Sequence, residues 1–155
     1  MPKKLFNFGE THIYRIDRVP VELADRVKVA TKKLLRITVS DYLRERVIEA
    51  GRFKAMGRKY NRRACNMVPV DFNVPWIKQP NMIKVHTYIH YPKQEWDQFV
   101  ENCLVWKSTP RREIIRFMIE LAETHREFRA MEKRRKAKKK RKTKGDQHEN
   151  SRVQT

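Results

Sequence analysis

Apolar positions recur along this chain at helical spacing, and they do so in matched pairs. One stripe runs through Ala24, Val27, Thr31 and Leu34, and a second through Trp96, Phe99, Cys103 and Trp106. Steps of three and four residues put each set on one helix face. A further pair comes after these, Tyr42, Leu43, Val47 and Ala50 in one region and Ile114, Ile115, Ile119 and Ala122 in the other. Ahead of each pair lies a short run with the two-residue alternation of a strand, HIYRIDRVP at 12–20 and KVHTYIHYP at 84–92.

Setting Pro20 on Pro92, an offset of 72 without gaps, lays the two regions over each other. The repeating unit is a strand, a helix of about 15 residues, a short turn and a second helix of similar length. The proline that closes each strand fits the first turn of the following helix, where the missing N–H costs nothing. Thr38 with Asp41 three residues on resembles a capping box, and Thr109 before Pro110 reads as a cap with proline at the first helical position. The chain then divides into a first unit over 11–51, a linker over 52–83, a second unit over 84–128 and a basic tail over 129–155. The linker region holds three prolines, lacks a clean periodicity and packs in places through Met67, Val70, Phe72 and Trp76. The tail begins as a continuation of the last helix. Its lysine-arginine block repels itself and is expected to be disordered or fraying.

One such unit cannot stand alone. Its strand has unpaired edges, and two short helices cannot bury both stripes on each other. Two units solve both problems by pairing their strands antiparallel over a shared four-helix core. The expected fold is α+β and mainly helical, a dimer-like object built within one chain.

VPVELADRV at 19–27, with its strand end, proline and amphipathic start, and the order strand, helix, capped turn, helix resemble the ribbon-helix-helix superfamily of Arc, MetJ and CopG type. The two-copy chain is similar to the tandem arrangement of TraY-type conjugation proteins. The resemblance covers about 80 of the 155 residues and rests on pattern. The family often has glycine between the helices, whereas the turns here, LLRITVS and VWKSTPR, have none. What the resemblance implies is a two-stranded ribbon that reads double-stranded DNA in the major groove.

Charge agrees with a polyanion partner. The formal net charge is +19, and ten of the positive charges fall between Lys133 and Lys144. Residues 1–132 alone hold 26 lysines and arginines against 16 acids, so the body is basic in its own right. Enzyme readings find no support, because the sequence has no glycine-rich phosphate loop, no GxSxG and no acidic cluster for magnesium. No cofactor is expected. Cys65 and Cys103 form no CxxC pair, which suits a reducing cytoplasm. MPKKLFNFGETH has no apolar secretion core and no apolar run reaches transmembrane length, so a soluble cytoplasmic protein without a membrane partner is expected.

Alternation assigns Val85, Thr87, Ile89 and Tyr91 to one face of the second strand and Lys84, His86, Tyr88 and His90 to the other. By the family's usage His86, Tyr88 and His90 would read bases. A shared metal ion is not expected, since His86 and His90 lie about 13 Å apart along a strand. In the first strand, Tyr14, Ile16 and Arg18 oppose Ile13, Arg15, Asp17 and Val19. Facing the first set to DNA turns Arg15 and Asp17 inward, and the reverse leaves Arg18 and Val19 out of step without a bulge. The register stays open, with Arg15 and Arg18 as base-reading candidates in either. Helix starts at Thr38, Ser40 and Thr109, with Arg111 and Arg112, offer N–H groups and charge to phosphates. Lys133, Arg134, Arg135, Lys136, Lys138, Lys139, Lys140, Arg141 and Lys142 would add salt-sensitive affinity for any nucleic acid. Trp96, Phe99 and Trp106 read as core, while Phe117 falls off the main stripe and would meet the linker. Three roles fit: a transcriptional regulator meeting RNA polymerase, a relaxosome accessory factor meeting a relaxase at a transfer origin, and a basic RNA-binding or ribosome-associated protein. In the first two the monomer acts as a pseudo-dimer, with multimerisation on DNA as a further expectation.

Overall fold

The computed structural model describes residues 9–55, 74, 76–78, 81–84 and 86–153, and not the side chains of His86, Thr87 and 146–150. Met67, Val70 and Phe72 of the linker lie outside the described residues. The elements are β1 (Thr11–Ile16), β2 (Val19–Pro20), α1 (Val21–Ala30) running into a π turn (Thr31–Leu35), α2 (Val39–Ala50), β3 (Met82–Ile83), β4 (His86–Pro92), α3 (Lys93–Val105) and α4 (Pro110–Val153). The fold is α+β and mainly helical. The chain forms two compact units, Met1–Ala122 and Glu123–Thr155.

β1 pairs antiparallel with β4, and β2 with β3. Both ladders run between the same two stretches, so they are the two ends of one ribbon that joins the halves of the chain. The prolines sit one residue earlier than first-turn placement. Pro20 and Pro92 are N-caps with extended ψ of 136° and 128°, still part of the strands. The next residue in each case carries an orphan helix-start N–H, and each uses it across the ribbon. Val21 N–H donates to the Asn81 carbonyl and Lys93 N–H to the Glu10 carbonyl, both at 2.9 Å. Strand closure and helix start are thus one device, used once per half.

The inter-helix turns keep their geometry without glycine. Arg36 and Lys107 take left-handed conformations, each with φ 54°, where glycine is usual. The first helix reaches this point with one residue more than α3. The extra residue is absorbed in the π turn, where Arg36 N–H bonds the Thr31 carbonyl five residues back. Hence Pro92 lies 72 positions after Pro20 but Thr109 lies 71 after Thr38. Both threonines cap as expected. Asp41 N–H donates to Thr38 Oγ1 at 3.1 Å and Arg112 N–H to Thr109 Oγ1 at 3.2 Å.

The core of the first unit takes Leu23 and Val27 from α1, Leu43 and Val47 from α2, Phe99 and Cys103 from α3, and Ile114, Met118 and Ile119 from α4, all fully buried. Phe117 belongs to it too, 6.3 Å from Phe99 with Arg46 over its ring at 4.8 Å. The 71-residue phase puts it opposite Arg46 on α2, and its expected contact with the linker falls on a stretch that lies mostly outside the described residues. Asn102, unremarkable in the sequence, is buried and fully bonded. Its amide donates to the Ala50 and Phe53 carbonyls at 2.8 and 2.7 Å, and its carbonyl oxygen accepts from Ala55 N–H at 2.9 Å. One side chain therefore ends α2 and fixes the departure of the chain after it. Trp76 is half-buried, with Arg26 4.3 Å over its ring.

The tail over 129–155, expected to be disordered or fraying, is helix as far as it is described, since α4 continues to Val153. Lysine, arginine, glutamate and alanine are all strong helix formers, and that propensity decides its local structure. None of the helices among the described residues is long and apolar enough to cross a membrane.

Tyr91 is fully buried, and among the described residues its hydroxyl has no hydrogen-bond partner. Burial pushes its phenol well above the ordinary range, opposed by Arg44 and assisted by Tyr14. A folded value above the unfolded one gives a contribution fully present below pH 10 and lost as the pH rises further. Tyr91→Phe removes the orphan hydroxyl and should stabilise the fold by about 1 kcal/mol at pH 7. It should also shrink the loss of stability above pH 10, as read by chemical denaturation at pH 7 and pH 11. A less stable Phe variant at pH 7 would show that the hydroxyl is satisfied after all.

Candidate nucleic-acid interface

Burial along β1 settles the open register. Thr11, Ile13 and Arg15 are exposed, whereas Ile16 is fully buried and His12 and Tyr14 are half-buried. The cause lies in the other half of the chain. Trp96 of α3 stacks on His12 at 4.7 Å and packs against Tyr14 at 4.8 Å, which draws that row inward. Val19 and Pro20 are buried as well, so the alternation must slip between Ile16 and Val19. It slips at Arg18, whose φ of 52° turns the chain by one residue. The irregularity required by the reverse assignment is therefore present.

β4 presents Tyr88, 63% exposed, and His90 on the outer side, with Ile89 and Tyr91 fully buried beneath. Ile13 pairs directly with His90. Between Tyr14↔Ile89 and Ile16↔His86 the ladder spends one residue on β1, Arg15, and two on β4, Thr87 and Tyr88. This bulge interrupts the regular ladder at that point. His86 pairs with Ile16, and its side chain lies outside the described residues, as does Val85. The outer face brings together Ile13, Arg15, Tyr88 and His90, two residues from each half.

Arginines on the second helices hold this ribbon by its backbone. Arg44 Nε of α2 donates to the His90 carbonyl at 2.7 Å, while its Nη1 pairs with Asp41 at 2.8 Å. Arg111 of α4 donates to the Asp17 and Arg18 carbonyls at 2.7 and 3.0 Å. Each half thus braces the strand of the other. Arg111 was expected to meet phosphate, but both of its terminal nitrogens are engaged with the kink at Arg18. Arg18 itself is exposed at that kink, and Arg15 is paired with Asp17 at 2.7 Å.

Thr38 and Ser40 begin α2, with Ser40 half-buried; Thr109 precedes α4, and Arg112 is exposed in its first turn. Beside Thr38 and Val39 lies a groove of about 430 Å³ with Asp25, Lys28, Lys32, Ile83 and Lys84 on its walls. Three ammonium groups against one carboxylate, around a helix start, favour an anion. Lys28 and Lys32 were not among the residues expected at the site. Their four-residue spacing on the polar side of α1 is visible in the sequence, but their proximity to the start of α2 is not. Ile13 was likewise not expected, because it becomes informative only once the register is known. In the compact unit Glu123–Thr155, the lysines and arginines from Lys133 to Lys144 are all exposed on helix.

No protein-family model matches the chain, and neither a curated protein nor a solved structure does.

Proposed function

We propose that the chain is a sequence-specific double-stranded DNA-binding protein, a tandem ribbon-helix-helix pseudo-dimer that lays its ribbon in the major groove and acts as a cytoplasmic transcriptional regulator. The observation that carries this reading is the shared ribbon. Both halves contribute to one antiparallel pair whose outer face is open and bears Arg15, Tyr88 and His90. A two-stranded ribbon fits the major groove, where base edges offer distinct donor and acceptor patterns. The capped helix starts, with Arg112 on one side and Lys28, Lys32 and Lys84 on the other, supply phosphate contacts that set orientation. Carrying both halves on one chain also fits the relaxosome role, in which the same ribbon binds beside a transfer origin next to a relaxase. The protein contributes binding in either case and no bond-making chemistry.

Selection of bound sequences from random duplex DNA at near-physiological salt tests this. An enriched motif is expected, made of two unlike half-sites, because Ile13 and Arg15 face one and Tyr88 and His90 the other. A perfect palindrome would contradict the unequal halves. No enrichment, together with preference for structured RNA, would instead favour an RNA-binding role, since the deep, narrow major groove of A-form RNA cannot admit a ribbon.

A further inference from the structure

The outer face of the ribbon is chemically lopsided. Tyr88 and His90 carry polar groups on the β4 side, whereas β1 presents an aliphatic side chain and a guanidinium. Ile13 is 50% exposed. A single exposed isoleucine is ordinary on a protein surface. This one faces out beside three polar neighbours, directly across from His90 and two residues from Arg15. In the major groove the apolar feature of a base pair is the C5-methyl group of thymine, and the strongest paired acceptor is guanine, with N7 and O6 side by side.

Arg15 is held in a way that suits the second of these. Its Nε sits 2.7 Å from Asp17 Oδ2. That contact occupies the inner edge of the guanidinium and leaves the two terminal nitrogens for a bidentate acceptor. It also restricts the side chain before any ligand arrives, which lowers the ordering cost of binding. Outward residues two apart on a strand are separated by about 6.8 Å. Successive bases of one DNA strand rise about 3.4 Å, so Ile13 and Arg15 span about two base steps.

We infer that β1 specifies a thymine and a guanine about two base steps apart, with Ile13 packing on the thymine methyl and Arg15 donating to guanine N7 and O6, and with Asp17 as the positioning residue for Arg15. The inference rests on the duplex-DNA reading above and names which bases that reading requires.

The test uses the full chain and the duplex recovered by selection. Each thymine in turn is replaced by deoxyuridine, which removes only the methyl group, and each guanine by 7-deazaguanine, which removes only the N7 acceptor. One thymine should lose roughly fourfold in affinity as deoxyuridine. One guanine about two steps away should lose about 5- to 150-fold. Ile13→Ala should abolish the methyl sensitivity alone, and Arg15→Ala the N7 sensitivity alone. Asp17→Asn should lower the N7 sensitivity while affinity for random duplex rises slightly, because a carboxylate facing the polyanion is lost; a general loss of affinity for all duplexes, or an intact N7 sensitivity, removes Asp17 from this role. A methyl-sensitive thymine that stays sensitive in Ile13→Ala overturns the assignment, as does a selected site with no such thymine. Either result leaves duplex binding standing, whereas equal affinity for every duplex ends both readings together.

Discussion

Gly51→Ala is expected to cost about 3 kcal/mol of folding stability, at the upper end of overpacking penalties, and to lower the thermal midpoint by roughly 10 °C. The backbone at Gly51 is ordinary, with φ −98°, so a left-handed conformation is not the issue. The added carbon would lie 2.0 Å from the Glu95 carbonyl oxygen and 2.7 Å from its carbonyl carbon. Both are backbone atoms of α3, so no side chain can swing aside, and the end of α2 must part from α3. The same movement strains the Asn102 bonds to Ala50 and Phe53, which hold these two elements together. Gly145→Ala is the control, because a Cβ there meets nothing within 4 Å. Thermal denaturation of the two variants side by side checks the prediction. An unchanged midpoint for Gly51→Ala would mean that the close approach of α2 and α3 is wrong.

The second large effect belongs to the tail. Truncation after Glu132 removes the ten cations between Lys133 and Lys144. On a helix rising 1.5 Å per residue, those twelve residues span about 18 Å, or one charge per roughly 1.8 Å. Duplex DNA carries one negative charge per about 1.7 Å. If half of the cations engage phosphates, the slope of log affinity against log salt flattens by about 4 to 5, and affinity at 50 mM salt falls by several orders of magnitude. The ratio between the selected site and random duplex should hardly move, because phosphate contacts carry no sequence information. The truncation lies outside the first unit, which ends at Ala122, so the thermal midpoint of that unit should stay in place. Affinity measured at four or five salt concentrations, before and after truncation, checks this. An unchanged slope would remove the tail from the interface.

The two effects separate what is legible in the chain from what is not. The tail's charge can be counted in the sequence. Its helical form runs against the expectation from self-repulsion, because the helix propensity of lysine, arginine and alanine outweighs it. Gly51 carries no such signal. A glycine after an amphipathic stripe reads as a helix end, and nothing local distinguishes that from close contact with a backbone 44 residues on. Asn102 is similar, a polar residue inside an apolar stripe whose four hydrogen-bond partners include three at the end of α2 or just beyond it.

What the sequence determined by itself was the repeat, the order strand, helix, helix in each half, and the threonine caps. All of these are written within a few residues, in apolar period and cap chemistry. The pairing of the two strands came from the need to satisfy their edges. The tertiary structure alone decided which side chains face outward. A strand's side chains change face with every residue, so a slip of one exchanges the inner and outer rows. Here Trp96 stacking on His12 chooses the row for β1, the turn at Arg18 resets it for Val19, and a bulge opposite Arg15 interrupts the ladder. The partners that fix the register come from the other half of the chain, more than 70 positions away, where no local pattern can record them.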